Sequence, residues 1–410
     1  MTTLSELLTP LFERGYRASN RSEWQNRTVA ALVDELMGTL GEVSGMALAH
    51  ELLDRFATMT REEKLGFFRC ASRMDIDPDT VRKRLEVYAA APTCNGYRDF
   101  MAAVEPPRQE LVRRLNQVPG ATGKLVEMRR DLLDAMRQHP ELAPFDLDFG
   151  HLFASWFNRG FLVLRRINWT SPADLLDKII AYEAVHAIQS WDDLRRRLQP
   201  SDRRCFAFFH PSMPNEPLIF VEVALTKGVP TSVQALLADS RPCLTAQEAD
   251  TAVFYSISNC QAGLKGVSFG NSLIKQVVLD MSAELKNLKT FVTLSPIPGL
   301  AGWLREIAPG EAADAPETLR QRAAQYLLEI KRDDGLPRDP VARFHLSNGA
   351  LVHAVHAEAD MSENGLRQSR GVMVNYLYDR RRIAQNHEKF VGTGRVAASA
   401  EVNGLARAAP

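Results

Sequence analysis

The chain has 410 residues, enough for two domains, and its 45% hydrophobic and 24% charged content is that of an ordinary globular protein. Fifty basic residues cancel fifty acidic ones, which excludes the global positive field that a nucleic acid or an anionic membrane surface requires. Five scattered cysteines (Cys70, Cys94, Cys205, Cys243 and Cys260) show no Cys-x-x-Cys spacing, and no apolar run reaches the ~18 residues that span a bilayer. Neither a zinc site nor a disulfide framework is expected, and a reducing cytoplasm is the expected compartment.

Residues 1–160 read as one helix after another. Val29, Leu32, Val33, Leu36, Met37 and Leu40 recur at three- and four-residue spacing and give a single apolar stripe. Thr60 followed by Glu63 is a capping box ahead of Phe67 and Phe68, and Asp77-Pro78-Asp79 opens a helix through Val81, Leu85 and Tyr88. The periodicity continues from Leu125 to Met136. Nothing in this part gathers a nucleophile, a base and a glycine-rich loop, so its expected role is packing or oligomerisation.

The pattern changes after Trp156, and residues 161–410 form the second expected domain. Ser171-Pro172 starts a helix through Ile180. Cys205–Phe209 and Leu218–Leu225 read as paired strands joined by the turn-rich His210-Pro211-Ser212-Met213-Pro214-Asn215-Glu216-Pro217. Further strands are expected at Ala252–Ile257, Phe291–Leu294, Ala350–His356 and Val372–Tyr378, with an amphipathic helix over Leu273–Leu285. Strands mixed with helices make this an α+β or α/β domain. The Ala- and Gly-rich tail after Val391 is expected to be poorly ordered.

Four segments carry chemistry. Between a strand and a helix, Asn259 to Gly270 holds glycines at 263, 266 and 270 with Lys265 among them. Backbone amides freed by glycine at a helix start suit a pyrophosphate, and an ordinary glycine-rich connector suits the spacing equally. Ser295 ends a strand ahead of Pro296, which holds it extended; a plain turn residue reads the same way locally. His345 stands between a helix start at Asp339-Pro340 and the turn signal Asn348-Gly349, and an imidazole gives or takes a proton near neutral pH. In Val374-Asn375-Tyr376-Leu377-Tyr378, alternation places Tyr376 and Tyr378 on one face.

These segments together resemble the malonyl-CoA decarboxylase family. The likeness is carried by His210 to Leu218, Val223 to Thr226, Phe254 to Ser258, Gln261 to Val267, Leu294 to Gly299, Phe344 to Ala350 and Val374 to Tyr378, in order across about residues 160–380. The resemblance implies an all-helical N-terminal domain followed by a GNAT-type, mixed-sheet catalytic domain in which CoA lies over a splayed sheet. It makes Ala262, Gly263, Leu264, Lys265, Gly266, Val267 and Ser268 the malonyl-CoA-binding loop, Ser295 the active-site serine and His345 the active-site histidine. It implies a carboxy-lyase that makes acetyl-CoA and carbon dioxide from malonyl-CoA through an enolate protonated by His345. Ser295 assists, and Asn375 and Tyr376 are expected in the substrate pocket. No metal and no cofactor beyond the substrate's own CoA is implied, nor any nucleic-acid or membrane partner, and a homo-oligomer is expected. A GNAT-type N-acyltransferase and a non-catalytic acyl-CoA-binding regulator are the alternatives.

Overall fold

The computed structural model describes residues 17, 23–24, 26–38, 41–267, 273–307 and 315–410. The chain forms two compact units. One gathers the N-terminal helices with two later segments, His210–Glu216 and the described residues from Gln261 to Val267; the other holds the remaining C-terminal residues.

The helical unit contains Val29–Gly38, Glu42–Thr58, Arg61–Ser72, Pro78–Ala90, Cys94–Val104, Pro107–Leu115, Ala121–Met136 and Ala143–Trp156. The expected start signals are used. Thr60 and Glu63 exchange both bonds of a capping box, and Asp77 accepts from the amides of Asp79 and Thr80 with Pro78 in the first turn. Leu32, Val33 and Leu36 are buried, as their spacing requires. The core is strongly aromatic: Phe56, Phe68, Phe145, Phe149 and Phe153 follow one another with ring centroids 4.9 to 6.4 Å apart. At the tip of the later hairpin, the Ser212 amide donates to His210 Nδ1 at 3.1 Å, which leaves Nε2–H to donate to the Trp156 carbonyl at 3.1 Å. That pairing gives His210 a structural task.

Strands β1 (Val163–Ile167), β2 (Arg203–His210), β3 (Met213–Thr226), β4 (Thr251–Asn259), β5 (Thr290–Thr293), β6 (Ser295–Pro296), β7 (Leu351–His356) and β8 (Met373–Leu377) form one sheet, which belongs to the second unit except for the hairpin tip His210–Glu216. The order is β1-β2-β3-β4-β5-β8-β6, with β7 also on β8. The β2–β3 hairpin is tighter than its turn-rich sequence predicts, because Met213 to Pro217 stay in the ladder and only Pro211 and Ser212 make the turn. Helices Ala173–Tyr182 and Trp191–Leu198 bury Leu175, Leu176, Ile179 and Leu194 against Ile167, Ala207, Phe209 and Phe220 of the sheet. The architecture is α+β, as expected.

The feature that makes a site is the mixed pairing. β4 and β5 are parallel from Thr251/Thr290 to Phe254/Thr293, and the Leu294 amide still donates to Phe254 O at 3.0 Å. After that rung β4 continues to Asn259, while Ser295 and Pro296 turn away to pair with Val374 and Met373 of β8. The sheet therefore opens at Ser295.

The segment after Val391 corrects the expectation of a poorly ordered tail. Ile383–Thr393 is a helix, and Ala397 to Ser399 lie along β7: the Val352 amide donates to Ala397 O and the Ser399 amide to Val352 O, both at 2.9 Å. Ser399 then caps the helix Ala400–Arg407, which buries Val402 and Ala406. Small residues read as featureless in composition, but here they let the backbone approach a strand edge closely enough to pair.

Candidate active site

Ser295 is 5% exposed at the point where the sheet parts. Pro296 after it donates no hydrogen bond, so the chain leaves the β5 ladder without an unsatisfied amide. His345 comes from the helix Pro340–Ser347, whose N-cap Asp339 accepts from the Ala342 amide at 2.8 Å. Asn348-Gly349 ends that helix rather than turning a hairpin. Asn348 Nδ2 donates to Phe344 O at 2.7 Å, and the Ala350 amide returns to His345 O at 3.1 Å. Gly349 sits at φ +85°, where a Cβ would stand 2.2 Å from Ile383 O, so only glycine closes the helix there. The imidazole is thereby held from both ends of its helix.

The two side chains meet. Ser295 Oγ lies 3.2 Å from His345 Nε2 and 2.8 Å from Thr293 Oγ1, and the Tyr378 hydroxyl lies 2.8 Å from His345 Nδ1. Thr293 Oγ1 also accepts from the Tyr376 amide at 3.1 Å. Tyr376 stacks on the imidazole with centroids 4.5 Å apart and planes 24° apart. The Ser295–Thr293 bond orders the protons along this chain in one sense. Ser295 donates to Thr293, so His345 Nε2–H donates to Ser295 and Nδ1 accepts from the Tyr378 hydroxyl. Such a chain can pass a proton to or from the hydroxyl of Ser295.

Burial pushes the His345 pKa down to about 3, so the ring is neutral at cellular pH. Ser295 and His345 line a cavity of about 270 Å³ whose other walls include Ile219, Phe254, Ile257, Val341 and Phe344, with Asn259 as a polar neighbour. A hydroxyl and a neutral imidazole in an apolar chamber favour a reaction that removes charge from its substrate.

The comparisons with known proteins agree on one family. The model of the malonyl-CoA decarboxylase C-terminal domain matches residues 160–316 and 308–410, and that of the N-terminal domain matches 75–157. The chain belongs to the malonyl-CoA decarboxylase family. It is similar to the solved malonyl-CoA decarboxylase of Rhodopseudomonas palustris, at 47% identity and TM-score 0.86 over 92% of this chain and 98% of that one. The Agrobacterium vitis structure gives 45% and 0.86 over 92% and 99%. The mitochondrial malonyl-CoA decarboxylase of Anser anser anser is 33% identical over 347 residues, 72% of this chain and 69% of that protein.

The remaining residues named from the family pattern have more varied places. Ala262, Gly263 and Leu264 form a tight 3-10 turn, with Gly263 and Leu264 buried. Ala262, Lys265 and Gly266 are exposed and Val267 is partly buried; Ser268 lies outside the described residues. These loop residues belong to the helical unit, Ser295 and His345 to the other. Asn375 and Tyr376 do not line the cavity. Asn375 Nδ2 donates to Thr293 O at 2.7 Å and its Oδ1 meets His356 Nε2 at 2.5 Å, so its polar groups are committed to holding strands together. Tyr376 lies against the imidazole face.

The hydrogen-bond partners Thr293 and Tyr378 are not marked by any motif of the sequence. Thr293 stands two residues before Ser295, on the same strand face, and alternation was the available signal. The sequence places Tyr378 beside Asn375 and Tyr376 as a residue able to line a pocket, but its bond to His345 Nδ1 depends on strand register.

Proposed function

We propose that this protein decarboxylates malonyl-CoA to acetyl-CoA and carbon dioxide, with Ser295 and His345 as its catalytic pair. The reading rests on the 3.2 Å contact between Ser295 Oγ and His345 Nε2 inside the apolar cavity. The bond from the α-carbon to the carboxylate breaks, its electron pair enters the thioester carbonyl, and carbon dioxide leaves. The resulting enolate takes one proton at the α-carbon, so one proton is consumed per turnover.

The apolar walls disfavour the localised charge of the substrate carboxylate more than the charge of the enolate, which is spread over the α-carbon and the thioester oxygen, and protonation of the α-carbon then removes that charge. His345 delivers the proton as a neutral relay, giving up Nε2–H while Nδ1 takes the proton of the Tyr378 hydroxyl, which solvent restores after turnover; Ser295 passes that proton on or holds the carboxylate in line. A placed proton donor contributes roughly 10²–10⁴-fold. The loop from Ala262 to Val267 takes the CoA end of the substrate. The reaction needs no cofactor beyond the CoA already carried by the thioester.

Among the described residues no helix is long and apolar enough to cross a membrane. A cytoplasmic homo-oligomer acting on the malonyl-CoA of fatty-acid metabolism completes this reading; the balanced charge and five free cysteines support the compartment.

The test is incubation with malonyl-CoA alone in deuterated water. Equimolar acetyl-CoA and carbon dioxide, with one deuterium in the acetyl group, are expected without any acceptor. Ser295→Ala and His345→Ala are expected to lower kcat by about a hundredfold or more while changing KM little. Acyl transfer that requires an added amine, or full turnover in His345→Ala, would overturn the proposal.

A further inference from the structure

Arg129 stands on the helix Ala121–Met136, in the same compact unit as the loop from Gln261 to Val267, and it is 4% exposed. One guanidinium nitrogen, NH1, donates to both Gly263 O and Lys265 O at 2.9 Å. Its Nε donates to Asp146 Oδ1 at 2.8 Å, and the guanidinium carbon lies 5.9 Å from the Phe153 ring centroid. The loop is pressed onto this helix. A Cβ on Gly263 would fall 1.8 Å from the Val126 carbonyl oxygen, so glycine is required there by contact with the helix.

The consequence lies in the peptide planes. A trans peptide points its N–H opposite its C=O. Arg129 draws the Lys265 carbonyl inward, so the N–H of the same peptide, that of Gly266, is turned the other way. The amides of Leu264, Lys265 and Val267 are spent on Gln261 O, Ala262 O and Leu264 O, at 3.0, 3.1 and 3.0 Å. Gly266 N–H has no such partner among the described residues. Gly266 itself adopts φ +79°, with nothing within 4 Å of where a Cβ would be. The result is a donor turned away from Arg129 on an exposed glycine, beside the exposed Lys265.

We propose that Arg129 is a positioning residue that sets the Gly266 amide and Lys265 to receive an acidic oxygen on the nucleotide part of the acyl-CoA substrate. This inference rests on the reading of residues 262–267 as the substrate loop. A buried arginine with two carbonyls and a carboxylate holds that backbone rigidly, since hydrogen bonds to a charged group are stronger and shorter than neutral ones.

The experiment compares malonyl-CoA with malonyl-N-acetylcysteamine, a malonyl thioester that lacks the nucleotide. Arg129→Gln is expected to raise KM for malonyl-CoA about ten- to a hundredfold, the effect of losing charge-assisted bonds, with kcat changed less than about threefold. Its kinetics on the truncated thioester should match those of the unaltered enzyme. Lys265→Glu, an exposed change, is expected to show the same contrast. If Lys265→Glu raises KM for malonyl-CoA and a folded Arg129→Gln does not, the role given to Arg129 is wrong while the loop reading stands. If neither variant alters KM, the loop reading itself fails. Equal damage by Arg129→Gln on both substrates would reduce Arg129 to a structural residue. Should that variant not fold, Asp146→Asn keeps the arginine but removes its carboxylate anchor; a several-fold rise in KM confined to malonyl-CoA is expected, and no rise overturns the proposal.

Discussion

Tyr378 and Ser295 grip opposite nitrogens of one imidazole, Tyr378 at Nδ1 of His345 (2.8 Å) and Ser295 at Nε2 (3.2 Å). Because the ring is 2% exposed, each nitrogen depends on these partners for its hydrogen bond. The tautomer is set from the Ser295 side: its hydroxyl is given to Thr293, so Nε2 carries the proton and Nδ1 accepts from Tyr378, the residue just after β8.

Replacing Tyr378 by Phe removes that second partner and leaves Nδ1 buried and unpaired. An unsatisfied buried polar group costs about 1–3 kcal/mol, so kcat is expected to fall roughly ten- to a hundredfold as the ring shifts or changes tautomer. Substrate affinity should change little. Steady-state kinetics with malonyl-CoA measures both, and an unchanged kcat would deny Tyr378 any part in the relay.

Thr293→Val keeps shape but deletes the oxygen that accepts from Ser295 and from the Tyr376 amide. The buried amide of Tyr376 then lacks its acceptor, and a loss of about 1–3 kcal/mol in unfolding free energy is expected. Activity should drop as well, because Ser295 loses the partner that orients its hydroxyl. Urea denaturation together with kinetics checks the pair of effects; a stable variant with normal turnover would contradict it.

The His345 pKa is lowered by burial to about 3, from the ordinary value of 6.5. Between those two values the unfolded chain binds the proton and the folded one does not, so stability rises with pH through this window. The stabilisation relative to acid is complete above pH 6.5 and is lost on going down, by about 1.4 kcal/mol per pH unit. His345→Gln removes this slope. Denaturation curves of both proteins at pH 7 and pH 5 should give a difference in stability that narrows in acid. A difference independent of pH would mean that the imidazole is not sequestered as described.

Removal of residues 396–410 is expected to destabilise the second unit by several kcal/mol, roughly the cost of losing buried side chains together with backbone bonds at a strand edge. It takes away the two bonds to Val352, the buried Val402 and Ala406, and the 2.8 Å ion pair between Arg320 and Glu401. Thermal melting of the shortened chain makes the test. An unchanged melting temperature would restore the view of this tail as dispensable.

Much of the framework was legible because it depends on neighbours in sequence. The Thr60–Glu63 box, the Asp77 cap, the stripe from Val29 to Leu36 and the helix start at Asp339 each involve residues within a few positions. Ser295 and His345 were found through motifs, and local chemistry alone favoured neither over an ordinary turn or structural residue. Alternation assigns Asn375 and Tyr376 to faces of β8 but does not say what lies against each face, and neither lines the cavity of Ser295 and His345. Gly263 has the same lesson: its spacing fits a phosphate loop, yet its missing side chain makes room for the Val126 carbonyl.

Local order was written in the sequence, where helix periods, caps and strand alternation act over a few residues at energies each segment supplies by itself. The family pattern singled out Ser295 and His345, which the fold brings within 3.2 Å of each other. Only the tertiary structure decided that β4 and β5 part after Phe254, that Tyr378 meets Nδ1, and that the final residues close the edge of β7. Those outcomes depend on register and on contacts between segments tens of residues apart. They are chosen by packing and by the need to pair every buried polar group, neither of which any short stretch of chain can satisfy alone.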